Sequence, residues 1–456
     1  MAAHERYGSV ITIAPNALTF SSLSALQTIH AKDSNVFKGN EFYGLLDGGA
    51  DGGRSVQMTQ DNAAHAARRR VLNRAMPARD QAFRDVNALA KSFASTAYGM
   101  SSMSSGTAKV WSAPVDISLI ATWFSFDVIS MVSFGESLDL LRSSEYRWLP
   151  GCLRSLSIFL YWCGYARGLS FWQWFLGTSL PSRLGMRTAV DAQIYASFTE
   201  DQVDRRAARL DAEKGVEAKR TDIFRHLMEV GLYSKEDNRA DCSLLVAAGS
   251  DAFRLTIAAT IFYWFKNPAV FERVTEEIRS AVPSADHISD ASISSLHYLR
   301  ACIDETMRLS PAKASSLPRE VMKGGITIDG IHVPAGATVG SSVYALHHDP
   351  EIYPDPYAYN PDRWLQQPQD RRMQAAFCPF LKGPRMCPGQ TVAYFAMQLA
   401  LFHLIYRYDV RPAGGKVTGG GGSHMPRGRH REDEYQFNDW IIGFANGPLV
   451  ELKELV

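Results

Sequence analysis

Cys387 lies within the decapeptide FLKGPRMCPG, residues 380–389, and this setting constrains the fold more than any other feature of the chain. A cysteine that only fills space in a core needs no glycine, proline and arginine around it. A cysteine ligates a metal as the thiolate, whose charge must be compensated by N–H groups, a cation or a helix N-terminus. The decapeptide contains an arginine and precedes an apolar, helix-like run. We therefore expect a metal-thiolate loop here.

The other residues of the decapeptide have separate roles in this prediction. Gly383 and Gly389 allow the backbone to fold closely around the sulfur of Cys387. Arg385 supplies a cation within reach of the anionic edge of a cofactor, and Phe380 can shield the sulfur from water. The helix that follows the decapeptide directs the positive end of its dipole toward the same sulfur.

The composition argues against several other classes of protein. The 456 residues permit a large core, and 48 basic against 47 acidic side chains lack the basic excess of a nucleic-acid binder. The cysteines are too scattered for a disulfide framework, which favours a reducing compartment. Cys378 and Cys387 have no second pair at metal-binding spacing, so a zinc site is not favoured. The six cysteines are at positions 152, 163, 242, 302, 378 and 387.

Hydrophobic periodicity predicts a mainly helical chain with a smaller β part. The dipeptide Asp329-Gly330 lies between two β-like runs and predicts a hairpin. Residues 350–375 are proline-rich and irregular, and the glycine-rich, basic residues 413–431 predict a mobile loop. The remaining segments are short strands over 8–22, a closing β-hairpin over 435–453, and helices over 60–100, 115–135, 183–212, 241–265, 289–309 and 390–408.

The most apolar long stretch, residues 155–180, is long enough to span a bilayer. Arg167, three glycines and many aromatic residues within it fit an interfacial or buried hairpin better. Two core helices are the alternative, and a surface-docking role is slightly favoured over them. The opening residues MAAHERYGSVITIAP show no signal peptide or membrane span.

The decapeptide resembles the haem-binding loop Phe-x-x-Gly-x-Arg-x-Cys-x-Gly of the cytochrome P-450 superfamily at every fixed position. Two further segments follow in the order of that family. ETMR places Glu305 and Arg308 one helical turn apart and resembles the family's Glu-x-x-Arg element. YNPDRW contains Arg363 and resembles the family's Pro-Glu-Arg-Phe segment. The resemblance implies that Glu305, Arg308 and Arg363 form a buried structural network rather than a catalytic group.

The resemblance also implies how the cofactor is held. Cys387 is then the proximal ligand of the iron of haem b (iron protoporphyrin IX), and Arg385 is expected to reach a propionate. HAARRRVLNRAM resembles the helix that contacts the propionates, through His65 and Arg69. SLPREV resembles the strand entry that brings Arg319 to a propionate, a role that suits a bidentate arginine.

The resemblance spans nearly the whole chain and is closest to fungal members, through YGSVITIAPN and LHHDPEIYPDPYAYNPDRW. It implies one catalytic domain over residues 1–456, with haem between the long central helix and the helix after the cysteine loop. Such proteins usually carry an N-terminal membrane anchor, which is expected to be absent from this chain. The implied location of the full-length protein is the cytosolic face of the endoplasmic reticulum membrane, with contact to the membrane surface.

The long central helix departs from the family pattern Ala/Gly-Gly-x-Asp/Glu-Thr-Thr beside the oxygen site. The alanine–glycine pair is retained, Gly249 is expected to form the groove for oxygen, and Asp251 is expected to relay protons. Ala252 and Phe253 occupy the positions of the two threonines. Thr256, one turn beyond Ala252, can supply a substitute hydroxyl, as can the substrate or a water. The other interpretation is that these two positions have changed by sequence drift in an ordinary monooxygenase.

Three functions follow from the resemblance. The favoured one is a haem-thiolate monooxygenase that receives NADPH electrons from cytochrome P-450 reductase and transforms a small molecule by hydroxylation, epoxidation, desaturation or coupling. The alternative is a reductase-independent peroxygenase, isomerase or dehydratase, which the absence of threonine at Ala252 motivates. A haem sensor or carrier is the least supported function, since the acidic residue Asp251 and the family's substrate cavity are expected to be retained.

The implied substrate pocket is lined mostly by apolar and small side chains, which suits a bulky hydrophobic molecule. A fungal secondary metabolite is the class that the resemblance implies, and no compound or oxidised carbon follows from it. The residues of this pocket are Ala248, Ala252, Phe253, Ser315, Ser316, Leu317 and Phe444.

Overall fold

The computed structural model describes residues 2–43, 53–102, 111–165, 178, 183, 185–213, 221–366, 370–440 and 442–455. The helices are α1 (Ala2–Tyr7), α2 (Leu23–His30), α3 (Asn40–Tyr43), α4 (Asn62–Ala75), α5 (Arg79–Ser102), α6 (Ile117–Phe134), α7 (Leu149–Tyr165), α8 (Arg187–Ala212), α9 (Ile223–Val230), α10 (Lys235–Lys266), α11 (Pro268–Ser280), α12 (Asp290–Ser294), α13 (His297–Leu309), α14 (Val343–His347), α15 (Arg371–Ala376) and α16 (Gln390–Arg407). The strands are β1 (Val10–Ala14), β2 (Ala17–Phe20), β3 (Val36–Phe37), β4 (Val115–Asp116), β5 (Arg319–Val321), β6 (Ile326–Ile328), β7 (Ile331–Val333), β8 (Thr338–Ser341), β9 (Tyr408–Pro412), β10 (Asn438–Trp440), β11 (Ile442–Phe444) and β12 (Leu449–Glu454).

Local sequence signals set the ends of the long helices. The carboxylate of Asp61 accepts a hydrogen bond from Ala64 N at 2.7 Å and caps the start of α4. The hydroxyl of Ser234 accepts one from Asp237 N at 3.1 Å and caps the start of α10. α6 ends at Gly135, whose φ of 73° is a left-handed conformation that glycine adopts at little cost.

Four long helices enclose the main core. α10 packs along α6, α16 packs against α5, and α5 packs against α6. α6 is apolar on all sides, and nearly all of its residues are buried. By length and composition α6 and α10 could each cross a membrane, but 83% and 67% of their apolar windows are buried inside the protein. They are therefore the central core helices of this fold.

The β part lies outside this helical core. One sheet has the strand order β1-β2-β8-β5-β3, with β2 and β8 parallel and the other pairs antiparallel. In this sheet Arg319, at the start of β5, pairs with Val339 of β8. A second sheet has the order β4-β12-β9, and β6–β7 and β10–β11 form separate hairpins. Asp329 and Gly330, with φ of 49° and 78°, make the predicted turn between β6 and β7.

The mainly helical prediction is confirmed, with three differences. α10 begins at Lys235, ahead of the expected residue 241, because Ser234 provides the cap. The predicted single hairpin over 435–453 is wrong: β10 and β11 pair with each other, whereas β12 pairs with β9 and β4. Residues 413–431, predicted to be a mobile loop, are held by backbone hydrogen bonds, including Gly421 N to Arg431 O at 3.0 Å. Of the apolar stretch 155–180, residues 155–165 belong to α7, and all but one of the others lie outside the described part.

Candidate functional site

Cys387 lies in a tight turn that ends at the N-terminus of α16. The amide of Cys387 donates to Phe380 O at 2.9 Å, so the two ends of the predicted loop are joined. Gly383 has φ of 74°, and a Cβ at this position would lie 1.9 Å from the carbonyl oxygen of His30. Glycine is therefore required at 383 by both conformation and space. A Cβ at Gly389 would lie 3.9 Å from Cys387 Sγ, so the expected steric need for glycine at 389 is not found among the protein atoms.

Cys387 is the one described cysteine that has an exposed surface. Its loop leads into the core helix α16 and packs against the helix α2. Burial of the thiol raises the pKa of Cys387 above its ordinary value, and the amide of Gly389 and the charge of Arg69 offset only part of this increase. The N–H group and the cation that the sequence predicted for a thiolate are thus both present. On α10, the mid-helix residue Ala248 is exposed too.

A group of cations lies beside the loop of Cys387. Arg385 donates to the carbonyl oxygens of Thr59 and Gln60, at 2.7 and 3.0 Å. Arg319 is 4% exposed and donates to the hydroxyl of Tyr43 at 2.8 Å. Lys38, which the sequence did not single out, is also buried and donates to Gln57 O at 2.6 Å. The members of this cationic group are Lys38, Arg69, Arg319 and Arg385, and the imidazole of His65 lies among them.

The electrostatics of the cationic group indicate a missing anionic partner. Burial, followed by the charges of Arg319 and Arg385, holds the pKa of Lys38 well below its ordinary value. Burial and the same two arginines, with Lys38 and Arg69, lower the pKa of His65 to about 3. Burial, followed by the charge of Arg319, lowers the pKa of Arg385 to about 10. Within the described residues no carboxylate forms an ion pair with these five side chains, and the buried Arg319 Nη2 has no hydrogen-bond partner.

Two propionates of a haem fit this arrangement. A carboxylate near Arg319 Nη2 would satisfy a buried donor and relieve the mutual repulsion of the cations. Cys387, before α16, and Ala248, on α10, are both exposed and would be available to such a group. The chemistry of the donor set therefore fits haem, with a thiolate for the iron and cations for the propionates.

The three consecutive arginines of α4 point in different directions. Arg68 forms ion pairs with Asp237 at 3.1 Å and Asp241 at 2.8 Å, both on α10. Arg69 lies close enough to Cys387 for their charges to interact, and Arg70 is exposed. Arg68 therefore ties α4 to α10, while Arg69 faces the cysteine.

The structure brings Glu305, Arg308 and Arg363 together in a buried network. Glu305 Oε1 accepts from Arg308 Nη2 at 2.8 Å and from Arg363 Nε at 3.0 Å, and Glu305 Oε2 accepts from Trp364 Nε1 at 3.0 Å. Glu305 and Arg308 have no exposed surface. Burial alone would raise the pKa of Glu305, but the two arginines and the amide of Asn360 outweigh it and hold the pKa below its usual value.

His347 connects this network to the cysteine loop. Its Nδ1 pairs with Arg308 O at 3.2 Å, and its Nε2 accepts from Cys378 N at 3.0 Å. Burial, with the nearby charge of Arg308, lowers the pKa of His347 to about 3, so the ring is neutral. Sequence reasoning missed this residue, because its partners are 39 and 31 positions away along the chain.

α10 carries the predicted oxygen-side residues. A Cβ at Gly249 would lie 2.4 Å from two side-chain atoms of Ile129 on α6, so this glycine allows α6 and α10 to approach closely. This contact concerns the packing of α10 on α6, and the expected oxygen groove at Gly249 stays a prediction. Phe253 is 6% exposed and packs edge-to-face on Phe124 of α6, and Thr256 is buried. The side chains of Asp251 and Ala252 lie outside the described part of the structure.

The predicted substrate residues lie where the chain approaches the β10–β11 hairpin. Ser315 N donates to Asp439 Oδ2 at 2.7 Å, and Lys313 forms an ion pair with Asp439 at 3.4 Å. Phe444 is 5% exposed, and the buried guanidinium of Arg254 lies 4.8 Å from its ring. The side chains of Ser316 and Leu317 precede Arg319 on the same segment and are half-buried. Charged side chains therefore lie beside these residues, and the mostly apolar substrate pocket stays a prediction.

The described residues contain no group of three or more histidine, cysteine or acidic side chains that could hold a metal ion. Cys152, Cys242, Cys302 and Cys378 are buried free thiols, in contrast to Cys387. A metal at this site would therefore rely on the thiolate of Cys387 alone among the described protein ligands. This requirement fits an iron that is already held by a porphyrin.

Comparison with known proteins agrees with this geometry. The family profile of cytochrome P-450 matches residues 1–418. A cytochrome P-450 monooxygenase of Alternaria alternata is 31% identical over 99% of this chain and 86% of its own length. One from Gibberella zeae is 32% identical over 88% of this chain and 91% of its own length. One from Penicillium oxalicum is 29% identical over 99% of this chain and 84% of its own length. The chain therefore belongs to the cytochrome P-450 family and is a monooxygenase of that family.

Proposed function

We propose that Cys387 is the proximal ligand of haem b and that the protein oxidises a hydrophobic small molecule in fungal secondary metabolism. The observation that carries this is the exposed Cys387, at the N-terminus of α16, beside cations that pair with no described carboxylate. The family implies haem, which supplies an iron for the activation of dioxygen when it is bound. The fungal relatives support the metabolic setting.

In this proposal each group of residues has one task. Arg319, Arg385, Lys38 and His65 bind the propionates, which anchors the cofactor edge. The amide of Gly389 stabilises the thiolate, and the helix α16 adds its positive end. Phe380, whose ring packs 5.4 Å from that of Tyr394, keeps water from the sulfur side.

On the opposite side, Asp251 and Thr256 of α10 are the proposed proton relay. Ala248, Ala252 and Phe253, with Ser315, Ser316, Leu317 and Phe444, are the proposed substrate contacts. Electrons come from NADPH through cytochrome P-450 reductase. The proposed location is the cytosolic face of the endoplasmic reticulum membrane, with a surface contact through residues 155–180. Residues 1–456 act as one catalytic domain.

The test is the absorption spectrum of the reduced, carbon monoxide-treated holoenzyme. We expect the red-shifted Soret band of a thiolate ligand, and we expect Cys387→Ser to abolish it. Cys378→Ser is the matched control, because this thiol is 2% exposed and its pKa is raised to about 12 by burial. A wild-type spectrum without the red-shifted band, or a band that survives Cys387→Ser, would refute the assignment.

A second function is favoured by one feature, the methyl group of Ala252 where the family has a hydroxyl. A reductase-independent peroxygenase, isomerase or dehydratase does not need that hydroxyl for oxygen cleavage. Turnover that requires NADPH, reductase and dioxygen together excludes this alternative. Turnover with peroxide alone, or with no oxidant, excludes the reductase-dependent monooxygenase.

A further inference from the structure

A cleft of about 600 Å³ opens between α1, α7 and residues 427–440. This volume is in the range of small-molecule sites. Tyr161 of α7 and Ala314 lie on its walls. Ala314 is five residues before Arg319 of the cationic group, and five residues of chain span at most about 18 Å. The cleft therefore lies within reach of the proposed haem site, along the same segment that carries Ser315, Ser316 and Leu317.

The carboxylates that line this cleft are all paired with cations. Glu5 pairs with Arg427 at 3.2 Å, and Glu434 pairs with Arg431 at 3.5 Å. Asp439 pairs with Lys313 at 3.4 Å, as described above. None of these acids is therefore available to balance a further positive charge.

One further guanidinium, that of Arg429, lines the cleft, and a second, that of Arg154, lies against the ring of the lining residue Trp440. Arg429 Nη2 donates to Phe437 O at 3.0 Å and to Asn438 Oδ1 at 2.6 Å. The guanidinium of Arg154, on α7, lies 5.5 Å from the centre of the Trp440 ring. Neither arginine forms an ion pair with a carboxylate in the part of the chain that the structure describes.

Asn438 and Trp440 are two positions apart on β10, so their side chains share one face of the strand, roughly 7 Å apart. Arg429 contacts the first side chain and Arg154 contacts the second. The two guanidinium groups thus approach the same strand face from different elements. A planar guanidinium fork binds a carboxylate with directed hydrogen bonds, and a ring beside it supports the attached carbon chain.

We propose that this cleft admits a substrate that bears a carboxylate, and that Arg429 and Arg154 hold the carboxylate. The inference rests on the proposed haem-thiolate function and narrows its substrate class from hydrophobic molecules to hydrophobic acids. The acidic end stays at the cleft, where water and cations stabilise its charge. The apolar part extends along residues 314–317 toward Cys387, so the carbon that reacts lies away from the carboxylate.

The test compares dodecanoate with its uncharged methyl ester as probes of the holoenzyme. Dissociation constants come from the shift of the Soret band on titration, which needs no turnover. We expect wild type to bind the acid about tenfold more tightly than the ester, and more weakly at high salt. Arg154→Gln and Arg429→Gln should each reduce this preference by about threefold to fivefold, since both sites are partly solvated. Neither variant should change the affinity for the ester.

Arg411→Gln is the matched control. Like Arg154, Arg411 places its guanidinium over a tryptophan ring, 4.0 Å from the centre of Trp111. Arg411 lies on β9 and does not line the cleft. The control should keep the preference for the acid, and Arg154→Lys should keep most of it. A wild type that binds no acid more tightly than its ester overturns the inference. Variants that lose acid and ester equally also overturn it. If the thiolate band is normal in these cases, the proposed haem function stands.

Discussion

Alanine at position 249 tests whether the glycine of α10 serves helix packing or an oxygen groove. Its Cβ would lie 2.4 Å from both Cδ1 and Cγ1 of Ile129, and 3.1 Å from the Ile129 Cβ. Contacts this short force the side chain of Ile129 or the helix itself to move. Overpacking of this kind costs about 1–3 kcal/mol, whereas alanine gains about 1 kcal/mol over glycine inside a helix. We expect Gly249→Ala to lower the free energy of unfolding by about 1 kcal/mol.

The same substitution should have the opposite sign when Ile129 is shortened. In an Ile129→Ala background the overlapping atoms are absent, so Gly249→Ala keeps only its helical advantage of about 1 kcal/mol. The expected coupling energy between the two positions is therefore about 2 kcal/mol, measured in a double-mutant cycle. The assay is thermal unfolding of the haem-loaded protein, followed by far-ultraviolet circular dichroism and Soret absorbance, together with product formed per NADPH consumed.

Two results would contradict this reasoning. Equal destabilisation by Gly249→Ala in both backgrounds would show that Ile129 is not the obstacle. A loss of product per NADPH that persists in the double variant, despite restored stability, would return Gly249 to the oxygen side of the site. If packing is the cause, the stability and the product formed per NADPH should both recover in the double variant.

Three further predictions follow from the buried charges. Glu305→Gln should lower the free energy of unfolding by about 3–5 kcal/mol and lower the haem content per protein, because it leaves Arg308 buried without a carboxylate. The control Asp362→Asn removes one partner of an exposed ion pair and should lower the free energy of unfolding by less than about 1 kcal/mol. Since the pKa of His347 is about 3 in the folded protein and about 6.5 when unfolded, its stabilising contribution is complete above pH 6.5 and lost as pH falls toward 3. Because of this group, the free energy of unfolding should fall by up to about 1.4 kcal/mol for each pH unit between pH 6.5 and 4.5. The His347→Gln variant should show a smaller fall over the same range. Lys38→Met should weaken haem binding about tenfold in an apoprotein titration but leave the affinity for haem dimethyl ester unchanged, and equal losses for both would contradict a propionate contact.

Several features of the candidate site follow from local sequence. The cysteine loop requires glycine at 383, an arginine, and a helix immediately after it, and these requirements lie within one decapeptide. Glu305 and Arg308 are one helical turn apart, so their pairing depends only on the helix between them. The turn at Asp329 and Gly330 is equally local. For such features, residue type and spacing are sufficient for a correct expectation.

Other features depend on contacts between distant segments. Lys38 joins the cationic group only because β3 pairs with β5, which carries Arg319. The neutral state of His347 arises from burial and from a charge 39 positions away. Gly249 matched a family pattern in the sequence, but its neighbour in space is Ile129 of another helix.

The sequence by itself determined the helical class, the cysteine loop and the family, because each depends on periodicity or on residues close together in the chain. Tertiary structure alone decided which cations surround the sulfur, why position 249 is glycine, and where β12 pairs. It also decided that Arg154 and Arg429 approach one face of β10, although they lie far apart in sequence. The physical reason is that charge interactions and close packing depend on distance in space, which local spacing does not encode.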